Sequence, residues 1–317
     1  MENSVPRMRV VLVIVIGILA ISSASVLIRI CQNPELLQPT VSGDLPAPPD
    51  ASNQVPSMVI ATYRLVIASI FYLILSWSKK VPIWSAFSSA QRRLALISGA
   101  FLTIHFATWI TSLEYTSIAS SVVLVQSAPI FVALGSIFLL KERFSWKIFI
   151  GISITLIGGI IISLNDFSSD QNSFIGNILA VGGALGAAGY MLAGRKLRAT
   201  MSTLQYVTPV YSIAAIFLLI MTLIQGKALF GYHLITYLLL AAIALVPQVI
   251  GHTSFNWALK YFSATTVSVL ILGEPVGASI LGFLVLNQRV GLMTMLGGIV
   301  ILIGVTVVIL ISDGKKE

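Results

Sequence analysis

One carboxylate in this chain stands where a carboxylate is costly. Glu274 lies in Leu270-Ile271-Leu272-Gly273-Glu274-Pro275-Val276, inside a run from Ser263 to Leu286 that is otherwise almost wholly apolar. It is the only acidic residue well inside any apolar segment. In hydrocarbon such a group costs ~2.5–3.5 kcal/mol on insertion scales unless it is paired, hydrated or protonated. It can take a proton, bind a cation or hold a substrate amine; alternatively it is a structural partner within a bundle. Arg64, in Thr62-Tyr63-Arg64-Leu65, is the matching cation, the only basic residue well inside a span. Its guanidinium can pair with Glu274, capture a substrate carboxylate, or snorkel outward to the headgroups. At ~1.5 Å per helical residue, Arg64 lies about 10 Å below the outer end of its helix and Glu274 about 16 Å above the inner end of its own. In a ~30 Å core these depths differ by a few Å.

Other polar side chains fall within apolar runs. His105 and Trp109 are one helical turn apart and share a face; His105, well into its run, is a cavity candidate. His252, Asn256 and Trp257 form a similar group nearer the inner end of theirs, where helix packing and interfacial anchoring account for them. Gln126 and Ser127 directly precede Pro129. Tyr190 offers aromatic contact to a ligand or ordinary packing. Pro129 and Pro275 each remove a backbone donor, and Gly273 allows close helix approach, so all three are candidate helix-break or hinge positions.

These residues must be positioned by membrane helices. The 317-residue chain is 57% hydrophobic and 9% charged, with a mean hydropathy of +0.97. A soluble domain carries about 25% charged residues, so a polytopic membrane protein is indicated. The net charge of +8 sits in short loops, where orientation explains it better than nucleic-acid binding does. Cys31 is the single cysteine, so no intrachain disulfide forms. No HExxH, GxSxG or phosphate-binding glycine loop is present, and the three histidines are scattered. No metal, cofactor or enzymatic activity is expected.

Ten apolar runs long enough to span a bilayer lie near 10–30, 57–78, 94–112, 117–140, 146–164, 173–193, 203–224, 234–257, 263–286 and 291–311. The first continues to Ile30 and counts as a span rather than a signal peptide. Residues 31–56 form a proline-rich, irregular outer loop. With the N-terminus inside, inner loops hold Lys79, Lys80, Arg92, Arg93, Lys141, Arg143, Lys147, Arg195, Lys196, Arg198 and Lys260, while outer loops hold only Lys227 and Arg289. The bias puts both termini, 1–9 and 312–317, in the cytoplasm.

The chain also repeats itself. A shift of 146 residues brings Leu113-Glu114-Tyr115-Thr116-Ser117 onto Leu259-Lys260-Tyr261-Phe262-Ser263, Pro129 onto Pro275, Gly151 onto Gly297 and Gly158 onto Gly304. The halves, 10–164 and 173–311 joined by an outer linker at 165–172, hold five spans each. Five is odd, so the second half enters the membrane inverted, an arrangement used by transporters with a midplane substrate site. Glu274 falls on Ala128 under this shift; the scaffold shares the proline and not the carboxylate.

The pattern Ala119 to Pro129, Phe138-Leu139-Leu140-Lys141-Glu142-Arg143, Gly151 and Gly158 resembles the EamA module of the drug/metabolite transporter superfamily, with a second copy through Gly273-Glu274-Pro275, Gly297 and Gly304. Arg64 matches an arginine often carried in that family's second span. The likeness covers about residues 10–311. It departs in the long 31–56 loop and at Asn287-Gln288-Arg289, where the second copy lacks the module's Glu. It implies an all-α fold of ten transmembrane helices in the plasma membrane and export or exchange of small metabolites such as amino acids. The motifs identify a scaffold and not a substrate. A lipid flippase or accessory subunit shares that scaffold; an integral membrane enzyme would need converging catalytic groups that the sequence lacks. Monomer and homodimer both stay open.

Overall fold

The computed structural model describes residues 7–32, 54–85, 87–116, 121, 124–141, 146–163, 172–286 and 292–313. Among them every regular element is helical, because hydrocarbon offers no partner to a backbone group and a helix satisfies its own. The α-helices are α1 (Arg7–Gln32), α2 (Ser57–Ser78), α3 (Ser89–Tyr115), α4 (Ala128–Gly135), α5 (Trp146–Ser163), α6 (Asn172–Arg198), α7 (Thr203–Ile224), α8 (Leu234–Ile243), α9 (Thr253–Ala258), α10 (Ala264–Ile271), α11 (Glu274–Leu286) and α12 (Leu292–Asp313). A wider π-helical turn, Ser136–Leu140, extends α4, and another, Ala244–His252, joins α8 to α9.

Each apolar run of the sequence carries helix. Seven segments are long and apolar enough to cross a bilayer, and Ala128–Leu140, Trp146–Ile161 and Met295–Val307 are shorter apolar helices. Large apolar side chains such as Phe138, Leu139, Ile178, Leu223 and Leu284 lie exposed on the outside of the bundle, as lipid contact requires. Two helices outrun the hydrophobic runs. α3 starts at Ser89 rather than near 94, because Ser88 and Gln91 close a capping box. α6 continues to Arg198, with Arg195, Lys196 and Arg198 in a last turn whose dipole favours cations. Most of the 31–56 loop, nearly all of the 165–172 linker, Glu142 and Arg143, Asn287–Arg289, and parts of both termini lie outside the described residues.

The repeat is visible as geometry. The 146-residue shift carries Ser57–Ser78 of α2 onto Thr203–Ile224 of α7, and Ala128 at the start of α4 onto Glu274 at the start of α11. α2 and α7 pack antiparallel through a ladder of hydroxyls: Thr62 with Thr222 at 2.7 Å, Ser69 with Ser212 at 2.7 Å and Ser76 with Thr208 at 2.8 Å. The outer two rungs exchange under the shift, since Thr62 corresponds to Thr208 and Ser76 to Thr222. Equivalent helices meeting head to tail in this way mark a pseudo-twofold axis between the halves. Hydroxyl pairs suit that seam because apolar packing alone gives helices in lipid little reason to prefer one another.

The last helix of each half repeats the exchange. A Cβ added at Gly158 would lie 2.7 Å from the Gly297 carbonyl oxygen, and one at Gly304 would lie 2.8 Å from the Gly151 carbonyl oxygen. The four glycines let α5 and α12 cross backbone to backbone. Gly158→Val is therefore expected to destabilise the fold by about 1–3 kcal/mol, read as a lower thermal unfolding midpoint in detergent. Gly298→Ala, whose new Cβ would meet only Val276 Cγ2 at 3.7 Å, should leave the midpoint unchanged. Equal midpoints for the two variants would refute the close crossing.

Candidate functional site

Both halves break a helix at the same place. In the second, α10 ends at Ile271, Leu272 and Gly273 form a turn, and Glu274 opens α11. In the first, Gln126 and Ser127 form the turn and Ala128 opens α4. The same backbone bond closes each turn: Ser127 N–H donates to Leu124 O at 3.1 Å, and Gly273 N–H to Leu270 O at 3.2 Å. Pro129 and Pro275 each occupy the second residue of the new helix, where the missing N–H has no intrahelical partner to lose. The prolines begin helices here rather than kinking continuous ones.

The break presents Glu274 in the first turn of α11, where the helix dipole favours a negative charge. Its backbone carbonyl accepts from Ser22 Oγ of α1 at 3.1 Å. Among the described residues its side chain receives no hydrogen bond.

Arg64 does not snorkel. Its side chain is 1% exposed. Nε donates to Gln248 Oε1 at 2.7 Å, and the guanidinium carbon sits 4.3 Å from the centroid of the Phe106 ring, within cation–π range. Gln248 belongs to the π-helical turn, one residue after Pro247. Arg64 and Glu274 line the same cavity and sense each other's charge, but no hydrogen bond joins them. Arg64 Nη1 and Gln248 Nε2 are buried without an acceptor, each omission costing about 1–3 kcal/mol.

His105 and Trp109 project from α3 where it presses on α6. A Cβ at Gly183 would stand 3.0 Å from Trp109 Cβ, so glycine sets this spacing. His105 Nδ1–H donates to the Gly183 carbonyl at 2.9 Å; a carbonyl only accepts, which fixes the tautomer of the neutral ring. The His105 and Trp109 rings stack at 5.8 Å. Trp109 Nε1 is the remaining buried donor without an acceptor.

Tyr190 has a committed hydroxyl. It donates to Asn256 Oδ1 at 2.6 Å; Asn256 Nδ2 donates to Tyr211 OH at 2.9 Å; Tyr211 lies 3.3 Å from Thr253 Oγ1, which also accepts from Tyr72 OH at 2.8 Å. The chain crosses α6, α9, α7 and α2 and commits the Tyr190 hydroxyl proton, so that toward a ligand this side chain offers its ring and an oxygen that can only accept.

These side chains surround one cavity of about 80 Å³. Arg64, His105, Trp109, Gln126, Tyr190 and Glu274 all line it, as does Pro129; Gly273 and Pro275, on either side of Glu274 in the chain, do not. The rest of the lining is mostly apolar, including Ile21, Val125, Met191, Phe255, Val267 and Ile271. Pockets for drug-sized ligands run to roughly 300–1,000 Å³, so helices must part before anything larger than a few waters enters.

Four contributors escaped sequence reasoning. His252 and Asn256 also line the cavity, although straight helical counting puts them among packing residues near the inner end. The π-helical turn Ala244–His252 ends at His252 and rotates the face that follows, which α-helical periodicity does not register. Gln248 had a usable signal, an amide beside an intramembrane proline. Phe106 had none.

A profile of the EamA-like transporter family matches residues 49–164 and again 174–310, most of the chain and both halves of the repeat. An uncharacterized transporter of Archaeoglobus fulgidus is 24% identical over 251 residues, 78% of this chain and 85% of that protein. A WAT1-related protein of Arabidopsis thaliana is 23% identical over 277 residues, 78% of this chain and 76% of its own. The uncharacterized transporter YetK of Bacillus subtilis is 24% identical across 70% of this chain and 73% of that protein. A protein known from a crystal structure superposes with a TM-score of 0.76 over 98% of this chain and 100% of its own at 16% identity, a likeness of fold alone.

Gln248→Leu should lower stability by about 1.5–3 kcal/mol, because it strips a charged donor of its acceptor. In the double variant Arg64→Met, Gln248→Leu the two losses should be non-additive by a similar amount. Additive unfolding midpoints would show that the Arg64–Gln248 bond carries no weight.

Proposed function

The chain belongs to the EamA-like transporter family, and from that premise we propose that it is a secondary transporter moving small metabolites such as amino acids through the central cavity by alternating access. The observation that carries this reading is the convergence of one buried cation, one carboxylate and both helix breaks on a single small cavity. The family and the relatives named above point to transport rather than catalysis.

In this reading ten helical segments cross the plasma membrane, five from residues 10–164 and five from 173–311, with both termini cytoplasmic. The pseudo-twofold seam between α2 and α7 supports the inverted arrangement, because equivalent helices of inverted repeats must run antiparallel. The rungs are single hydroxyl pairs, each worth roughly 0.6 to 2 kcal/mol, weak enough for the halves to rock. Pro129, Gly273 and Pro275 mark the backbone that gives way, since helix ends absorb φ/ψ changes more readily than continuous helix. Glu274 is the group that couples or selects: it alone brings an exchangeable charge to the breaks.

Untargeted metabolite profiling tests the proposal. Cells expressing the chain should show at least one metabolite redistributed between cytoplasm and medium, and Glu274→Gln should return it toward the level of cells lacking the chain. No metabolite responding to expression would sink the transport reading. A changed leaflet distribution of lipids in its place would favour the flippase. A metabolite that moves normally with Glu274→Gln would leave transport standing and remove the carboxylate from it.

A further inference from the structure

Among the described residues, the buried side-chain atoms without a partner are Arg64 Nη1, Trp109 Nε1 and Gln248 Nε2. All three are donors, and the Glu274 carboxylate, which lines the same cavity, accepts from none of them. A folded chain leaves few such atoms, and an excess of one kind indicates what kind of group is missing. Two of the three belong to side chains that line the cavity. They flank one ring: the Arg64 guanidinium lies over Phe106, whose centroid is 6.5 Å from that of Trp109.

We propose that Arg64 and Trp109 form a carboxylate half-site, and that substrates of this protein present a carboxylate to it ahead of an apolar body. The proposal rests on the transport reading and names the chemistry of the site within it. A carboxylate brings two oxygens and one negative charge. It can accept from a guanidinium N–H and an indole N–H together, and charge-assisted bonds of this kind are the strong ones. Arg64 is suited to the role because it stays charged and its planar fork matches a carboxylate. Gln248 is a positioning residue: it holds Nε at 2.7 Å and leaves Nη1 uncommitted. The apolar wall formed by Val125, Met191, Phe255, Val267 and Ile271 suits a hydrocarbon body. Both donors are shut off from water-sized molecules in this conformation, so the acceptor reaches them when the helices part.

The test uses the purified full chain in liposomes. The probes are an equimolar mixture of 4-methylpentanoate, 3-phenylpropionate, leucine and phenylalanine with the carboxamide of each, and uptake is read by mass spectrometry. Acids should enter in preference to their amides by about tenfold or more, the worth of a hydrogen bond to a charged group. Arg64→Gln should abolish the preference. Since that variant risks misfolding, Trp109→Phe is the decisive one: it keeps an aromatic ring beside His105, removes the N–H donor along with one ring of the indole, and should reduce the preference for acids over amides several-fold, a ratio that lost volume alone would not change. Acids and amides entering equally, or Trp109→Phe keeping the full preference, overturns the half-site and leaves transport intact. Thermal stabilisation of the detergent-solubilised chain by the acids and not the amides, without uptake, keeps the half-site and removes the transport reading.

Discussion

A guanidinium sealed inside an apolar bundle constrains everything around it. Arg64 cannot reach water, so the protein must solvate it, and it does so with groups from both halves of the repeat. Phe106, under the guanidinium, belongs to the first half; Gln248, which accepts from Nε, belongs to the second. The charge therefore acts as a clasp across the interface between halves. Stripping this guanidinium of its Gln248 acceptor costs about 1.5–3 kcal/mol, more than a typical hydroxyl rung between α2 and α7 is worth. Any relative motion of the halves would have to keep Arg64 solvated.

That clasp explains why the weaker seams are built as they are. The α2–α7 ladder and the α5–α12 glycine crossing obey the pseudo-twofold axis closely. Both use small side chains, so they hold the halves in register without a large energy to overcome when the halves move. The α3–α6 contact serves a different end. Its glycine-lined approach fixes the His105 tautomer through Gly183 and sets Trp109 in the wall. Small residues thus allow close approach at both interfaces, and the difference lies in the polar side chain that docks there.

How much of this could be read from the chain follows from what periodicity encodes. The ten apolar runs, their helical nature and the repeat were legible because each rests on a pattern tens of residues long. Glu274 and Arg64 stood out because a charge in an apolar run is a strong local signal, and depth counting brought them to similar levels in the membrane. Arg64 showed its limit: depth cannot separate a guanidinium that snorkels from one held by Gln248, since the choice depends on a side chain 184 positions away. His252 and Asn256 were read by their depth as packing residues, and Asn256 does bond across helices to Tyr190 and Tyr211; that both also line the cavity depends on helices distant in sequence. Pro275 and Pro129 were legible as breaks but not as helix starts; that distinction depends on Leu272-Gly273 and Gln126-Ser127 leaving the helix first.

The matched breaks carry a further consequence. Positions 126 and 128 of the first half correspond to 272 and 274 of the second, and all four residues line the cavity. The polar member of each pair is exchanged: Gln126 and Ala128 on one side, Leu272 and Glu274 on the other. A cavity obeying the axis in its side chains as well as its backbone would offer any ligand two equivalent poses related by that axis. An unsymmetrical ligand would then have no preferred orientation, because every favourable interaction of one pose would recur in the other. Exchanging polarity at the breaks removes the degeneracy while leaving backbone geometry shared. Symmetry in the scaffold keeps the two breaks equivalent in backbone, and asymmetry confined to a few lining side chains makes the two sides of the cavity chemically distinct.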